Sequence, residues 1–301
     1  MTARSLLADR GKVTEDAPLA PLTTYRFGGR ARFLVVADGE EDLGLASRLA
    51  ADEGVPILVL GRGSNVVVSD LGFDGVVIRP GPGMTGWQGR EDGSIVAGAG
   101  TALPMLARES ARTGRGGLEF FTGIPGSVGG AVRMNAGCHG SETADWMVTA
   151  RVFDLADAVA RDRTPADLEM SYRHSNLTDG DFVVSATFRT VERDPAEADA
   201  VIREITRWRR EHQPGGTLNA GSVFKNPPGD SAGRIIDDAG LKGLRVGAAE
   251  VSRRHANFFV AGEGATAQDV HDLVAEVRRR VLEQTGIALA TEIRFVGEFT
   301  R

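Results

Sequence analysis

The stretch Gly117–Gly137, GLEFFTGIPGSVGGAVRMNAG, constrains the fold of this chain more than any other. Gly123, Gly126, Gly129 and Gly130 surround one proline and one serine directly after an apolar run. Glycines this dense let the backbone take positive φ and let another group come close to main-chain N–H donors. Such a loop suits a pyrophosphate or a flat cofactor, because backbone amides alone can hold phosphate oxygens. A tight turn closing a buried strand is the competing reading. The glycine spacing, the Pro125-Gly126 turn and the polar exit at Asn135-Ala136-Gly137 favour a cofactor loop.

The 301 residues suffice for two or three compact units with their own cores. Charged residues make up 25% of the chain and sum to −6 (35 minus 41), a balance without the basic face of a nucleic-acid binder. Cys138 is the only cysteine, which leaves no disulfide and no cysteine-based metal cluster and fits a reducing compartment. The first residues are charged early and lack an apolar signal core, and no apolar run approaches the ~18–20 residues of a membrane span. A cytoplasmic protein is therefore expected. Lysine occurs only at Lys12, Lys225 and Lys242, which draws attention to Lys225 inside a motif discussed below.

Ala31–Ala37 reads as a buried strand, Glu40–Gly54 as an amphipathic helix ending on glycine, and Pro56–Leu60 as a second strand. This strand–helix–strand pattern marks a small α/β unit. Short β-rich runs follow from Gly75 to Gly100, and Thr101 is expected to open a helix over Ala102–Thr113. Further strands are expected at Val148–Asp154 and Asp181–Val191. Asp194-Pro195 begins a helix running to about His212, ahead of the Pro214-Gly-Gly boundary. A final α/β unit has a helix at Gly233–Ala239, a strand at Ala256–Val260 and a long helix after Thr266 with capping-box spacing to Asp269. Ile293–Val296 closes it as a strand.

Familiar nucleotide and metal signatures are missing. Gly61-Arg-Gly63 and Gly98-Ala-Gly100 both lack the third glycine of a Rossmann fingerprint, and Gly11-Lys12 lacks the rest of a P-loop. No HExxH and no paired His or Cys ligands occur, so no metal is expected. A dinucleotide would be held by another architecture.

Three constellations could carry chemistry. In Asn219–Pro227, NAGSVFKNP, Ser222 lies between Gly221 and Val223 where a hydroxyl could face a ligand or simply close a turn. Asn219, Lys225 and Asn226 add amide and ammonium donors suited to an anionic nucleotide. Tyr172-Arg173 is either surface or a carboxylate clamp. Glu292 sits in an alternating strand, where it could face solvent, pair with Arg294 or act in catalysis.

With these residues in view, the chain closely resembles the UDP-N-acetylenolpyruvoylglucosamine reductases (MurB), nearly end to end. The resemblance is carried by Thr23–Gly29 (TTYRFGG), Leu60–Asn65 (LGRGSN), Gly117–Gly137, Ser171-Tyr-Arg173, Asn219–Pro227, Ala239–Gly243 (AGLKG), Val251–Phe259 (VSRRHANFF) and Thr291–Phe295. It implies an α+β chain: an FAD-binding fold of the vanillyl-alcohol-oxidase (PCMH) type with two α/β subdomains, residues 1–70 and 71–192, then a C-terminal α/β substrate domain, residues 193–301. The last strand is expected to return to the first subdomain. The family's FAD contacts fall on Gly61, Arg62, Gly63, Ser64 and Asn65, on Gly123, Ile124, Pro125, Gly126 and Ser127, and near Gly130 and Val132. Its catalytic arginine, proton-donating serine and glutamate fall on Arg173, Ser222 and Glu292. Tyr172, Lys225 and Asn226 fall at or near substrate positions.

The resemblance implies noncovalent FAD, NADPH as co-substrate and a UDP-sugar substrate, with no nucleic acid, membrane or obligatory protein partner. In the family reaction NADPH gives hydride to FAD, and the enolpyruvyl sugar nucleotide then takes hydride at C3 and a proton at C2. Arg173 and a protonated or hydrogen-bonded Glu292 suit the charge that develops toward the carboxylate, and Ser222 the proton. Cys138-His139 stands where family members have a small residue and an aromatic. The short interval from Arg173 to Ser222 matches the compact subtype. The rival readings are another FAD-dependent oxidase of the same fold and a non-catalytic protein that binds FAD or a UDP-sugar.

Overall fold

A computed structural model describes residues 2–300 of the chain. The backbone folds as two compact units that interleave along the sequence. The first comprises Met1–Ala17, Arg32–Arg62 and Gly75–Trp208, and the second Pro18–Ala31, Gly63–Asp74 and Arg209–Arg301. The division expected at residues 70 and 192 follows chain order, whereas these units take separated stretches.

The first unit contains a sheet of four strands in the order Val13–Pro18, Arg30–Ala37, Phe73–Pro80, Ile57–Val59, the last two parallel. Arg30–Ala37 alternates between buried and more exposed positions, as a strand with one face on a core must. The helix Glu40–Glu53 opens with three acidic residues and stops at Gly54, which takes the left-handed φ of 65°. A second sheet is antiparallel, with the order Val159–Arg163, Met147–Asp154, Asp181–Phe188, Ile95–Gly98, Trp87–Gly89. The helices Leu103–Arg112 and Val128–Met134 contribute Leu103, Leu106, Val128 and Val132 to the same core as Phe121, Phe182 and Phe188.

The second unit is built on the helix Ala267–Thr285, whose buried residues Val270, Leu273, Val274, Val277 and Val281 recur every three or four positions. Its expected capping box is formed in both directions between Thr266 and Asp269. A three-stranded sheet, Arg245–Val246, Ala249–Val251 and Phe259–Ala261, packs against it. The last strand, Arg294–Val296, pairs in parallel with Val66–Val68. Tyr25 is fully buried here, its hydroxyl donating to Phe259 O at 2.9 Å, and burial pushes its pKa up. Among the described residues no helix is long and apolar enough to cross a membrane.

Two elements differ from expectation. Thr101 does not open its helix: its Oγ1 accepts from Gly86 N and donates to Gly86 O, and Ala102 becomes the N-cap. The strand expected at Ala256–Val260 starts only at Phe259, because Phe258 N donates to His255 O in a turn. The short helix Ala3–Asp9 and the strand Val13–Pro18 were not foreseen.

Leu273 is fully buried, whereas Leu282 on the same helix is 49% exposed. Leu273→Ala should therefore cost roughly 2–5 kcal/mol. Leu282→Ala should stay within about 0.5 kcal/mol of the parent. Urea unfolding followed by far-UV circular dichroism checks the contrast.

Candidate active site

In the first unit, the Gly-rich segment is laced to the turn before it. Leu103 N donates to Gly126 O at 3.1 Å and Val128 N to Thr101 O at 3.0 Å, so Ser127 and Ala102 face each other in an antiparallel bridge. That register uses the flanking residues, and the Ser127 N–H has no acceptor among the described residues. Ser127 closes on Gly61, where a Cβ would lie 2.7 Å from Ser127 Oγ. Gly129 N donates to Ala99 O at 2.9 Å. Gly61, Pro80, Ala99, Ser127, Gly129, Gly130 and Arg133 line one pocket with the apolar Leu177, Phe182 and Val183. Residues from five separate stretches of the sequence therefore meet at one cavity.

The rest of the loop is placed as follows. Gly123 is half-buried, Ile124 packs on the core, Pro125 is exposed, Gly126 is buried, and Val132 is a core residue on the helix that carries Gly130. A Cβ on Gly123 would come within 2.6 Å of Cys138 Sγ, and that thiol donates to Phe120 O at 3.1 Å. His139 meets Trp208 edge to face, with ring centroids 5.1 Å apart.

Four buried side-chain polar atoms, Arg79 Nε, Arg115 Nε, Thr122 Oγ1 and Asn176 Oδ1, have no hydrogen-bond partner among the described residues. Burial lowers the Arg79 pKa, and the charge of exposed Arg62 lowers it further. An orphaned buried group typically costs about 1–3 kcal/mol. The glycine-walled pocket, with the Arg133 cation in its lining, fits an anionic dinucleotide such as FAD.

Gly63, the first residue of its stretch in the second unit, has φ of 62°, and a Cβ there would lie 2.2 Å from Leu22 O. Only glycine fits, and Gly63 O accepts from Thr24 N at 3.1 Å. Ser64 is half-buried beside it. Asn65 reaches across the sequence: its Nδ2 donates to Glu292 O at 3.0 Å, and its own carbonyl accepts from Arg294 N at 3.0 Å.

Glu292 N in turn donates to Val223 O at 2.8 Å, and Lys225 N to Ala290 O at 2.9 Å. One hydrogen-bonded strip thus joins Asn65, the Glu292 backbone and the Ser222–Lys225 segment within the second unit. Ser222, Lys225 and Glu292 are half-buried on it. Asn226 is exposed, and its Oδ1 accepts from Ala232 N at 3.0 Å, anchoring the next helix. Arg173 and Tyr172 belong to the first unit, on the turn Ser171–His174, with the guanidinium 5.0 Å from the Tyr172 ring centroid.

The sequence reading did not single out Asn257. This residue is 3% exposed, and its Oδ1 accepts from Phe224 N at 2.9 Å while its Nδ2 donates to Phe224 O at 2.8 Å. Val223 N also donates to Asn257 O at 2.8 Å, so Asn257 sets the register of the segment that carries Ser222. The neighbouring His255 accepts the Asn257 N–H at Nδ1, and burial, then the charges of Lys242 and His212, lower its pKa.

Residues 31–161 match the profile described as "FAD binding domain", and residues 213–296 match "UDP-N-acetylenolpyruvoylglucosamine reductase, C-terminal domain". A glucooligosaccharide oxidase structure from Acremonium strictum, 16% identical with a TM-score of 0.50, covers 99% of this chain and 66% of its own, a likeness of fold alone. The protein is therefore an FAD-binding α+β oxidoreductase of the PCMH type. The UDP-N-acetylenolpyruvoylglucosamine reductase of Caulobacter sp. (strain K31) is 44% identical over 296 residues, 96% of each chain. That of Methylorubrum populi is 45% identical over 99% of this chain and 98% of its own. The crystal structure of the Thermus caldophilus reductase is 40% identical with a TM-score of 0.80, covering 93% of this chain and 98% of that one.

The chain belongs to the UDP-N-acetylenolpyruvoylglucosamine reductase (MurB) family. With membership come the reductase activity in peptidoglycan precursor synthesis, FAD as cofactor, and NADPH and a UDP-sugar as substrates.

Two expectations follow. Gly63→Ala forces a backbone shift in the Gly61–Asn65 loop, so the purified protein should retain FAD at least about tenfold more weakly, a loss of roughly 1.4 kcal/mol. The ratio of flavin to protein absorbance reads it. Because the fold favours neutral His255, unfolding takes up a proton between the lowered pKa and the ordinary value. Stability should be full above about pH 6.5 and fall as pH drops below it. His255→Gln should flatten that fall in chemical denaturation series run at several pH values.

Proposed function

We propose that the protein reduces the enolpyruvyl group of UDP-N-acetylenolpyruvoylglucosamine to the lactyl ether of UDP-N-acetylmuramate in the cytoplasm, with Arg173, Ser222 and Glu292 as its catalytic residues. The observation that supports this reading most is the strip that holds the Ser222 and Glu292 segments in hydrogen-bond register through Val223 O. In this reading segments 1–70 and 71–192 hold the cofactor through Gly61–Asn65, Gly123–Ser127 and the neighbourhood of Gly130 and Val132. Segment 193–301 holds the substrate through Lys225 and Asn226, with Tyr172 contributing from the preceding segment.

FAD, held by these residues, would supply the hydride chemistry that links NADPH to C3 of the enolpyruvyl group. Negative charge then develops toward the substrate carboxylate. Arg173, a fixed cation with a planar fork of donors, stabilises that charge, and Glu292, protonated or hydrogen-bonded, supports the same system. Ser222 delivers its hydroxyl proton to C2 and regains one from solvent. A serine hydroxyl is a weak acid, so the transfer needs a strongly basic enolate in a site that excludes water.

Ser222→Ala should leave flavin bleaching by NADPH intact and slow the substrate-driven return of the absorbance by about 10²–10⁴-fold. Stopped-flow measurement of the two half-reactions decides it, and equal slowing of both would remove Ser222 from the proton step.

A further inference from the structure

We propose that Asn135 is a positioning residue for Arg173: its buried side-chain amide fixes the turn that presents the arginine. The proposal rests on the catalytic assignment of Arg173 made above, and all the residues it uses lie in the first unit.

The turn is an improbable one for its sequence. Ser171 N donates to His174 O at 3.1 Å and His174 N to Ser171 O at 3.0 Å, which makes Arg173 the third of four turn residues. Arg173 takes φ of 54°, a conformation that this position demands and that favours glycine or asparagine. A side chain as long as arginine keeps such a backbone only where its surroundings over-determine it.

The surroundings are the end of the helix Val128–Met134. Arg133 O accepts from Ser175 Oγ at 2.7 Å, Asn135 Nδ2 donates to Ser171 O at 2.9 Å, and Gly137 O accepts from Arg173 Nη2 at 2.6 Å. Alternate residues of one short segment therefore hold the start, the arginine and the exit of the turn. Asn135 is the fully buried member, with a left-handed φ of 41° as the C-cap of its helix. Its Oδ1 is equally committed, accepting from Ala144 N at 2.9 Å. An amide supplies this donor and acceptor together. A carboxylate would turn an acceptor toward Ser171 O, and glycine would keep the backbone angle while losing both bonds. Since the same helix starts at Ser127, Asn135 links the pocket-lining loop to the arginine through one rigid element.

The test compares Asn135→Asp, Asn135→Gly, Arg173→Lys and the double variant Asn135→Gly/Arg173→Lys, each loaded with FAD. Flavin content and bleaching by NADPH should match the parent, whereas reoxidation by the enolpyruvyl substrate should slow by about 10–10²-fold in each Asn135 variant. The double variant should reoxidise no more slowly than Arg173→Lys alone, because Asn135 acts through Arg173. Loss of flavin, equal slowing of both half-reactions, or multiplied effects in the double variant would reduce Asn135 to a structural role and overturn the proposal. Normal reoxidation of the Asn135 variants beside a slow Arg173→Lys would overturn it while leaving the arginine assignment intact. Normal reoxidation of Arg173→Lys would overturn that assignment itself. Asn135→Gly keeps the comparison available if Asn135→Asp does not fold.

Discussion

The second unit depends on a backbone ladder between residues more than two hundred positions apart. Asn65 binds Glu292 O through its side chain and Arg294 N through its carbonyl, and the three residues Val66–Val68 pair in parallel with Arg294–Val296. A parallel pair cannot be closed by a tight turn and requires a long crossover. Here the crossover is most of the chain, so the pair forms only when the rest of the fold is in place. Loop-closure entropy grows slowly with length, which makes so distant a pairing affordable to a chain that buries enough apolar surface elsewhere. The consequence is local: the Glu292 backbone lies between the Asn65 side chain, which donates to Glu292 O, and Val223, whose O accepts from Glu292 N.

Side-chain amides extend that principle wherever a main chain lacks a partner. Asn257 takes both the N–H and the C=O of Phe224, as a neighbouring strand would. Asn135 does the same for two different segments, and the Asn65 amide supplies a single donor, to Glu292 O. An amide can give and accept at once, and when buried with both halves satisfied it fixes register without placing charge in the interior. Catalytic geometry tolerates little displacement, and misplacement by about 1 Å can cost 10²-fold in rate. Asparagine clamps hold the main chain beside Ser222 and at the Ser171–His174 turn that carries Arg173.

What could be read from the sequence was what local chemistry decides. The Asp194-Pro195 start, the Thr266 capping box and the Gly54 stop are short-range signals, and the helices begin and end where those signals put them. The glycine loop was legible as a place of close approach: a Cβ on Gly123 would meet Cys138 Sγ at 2.6 Å and one on Gly129 would meet Ala99 Cβ at 3.1 Å, whereas none of Gly123, Gly126, Gly129 and Gly130 takes the positive φ expected of them. Thr101 misled because its hydroxyl had a better partner in Gly86, fifteen residues back, than in the helix that follows. The strand at Phe259 was shortened by a turn at His255 that apolar patterning cannot register. Asn257 carried no signal in the sequence, and Asn135 only that of a polar exit from the glycine loop, since each bonds main-chain groups that only the folded chain brings near. The motifs of a family carry such residues silently: both lie inside stretches that bore the resemblance, VSRRHANFF and the end of the Gly117–Gly137 run.

Cys138-His139 shows how a departure from a family pattern can be absorbed. The thiol lies where a side chain on Gly123 would have to go, 2.6 Å from that imagined Cβ, and it donates to Phe120 O in the turn just before. Glycine at 123 and a compact side chain at 138 are therefore two halves of one packing condition. The left-handed φ of 52° at His139 then directs the chain away, with the imidazole edge against Trp208. The usual small residue followed by an aromatic meets the same condition by other means: little volume at the first position, a flat ring at the second. The loop that most constrained the fold keeps its shape because the requirement placed on residues 138 and 139 concerns volume and ring geometry, and cysteine and histidine satisfy both.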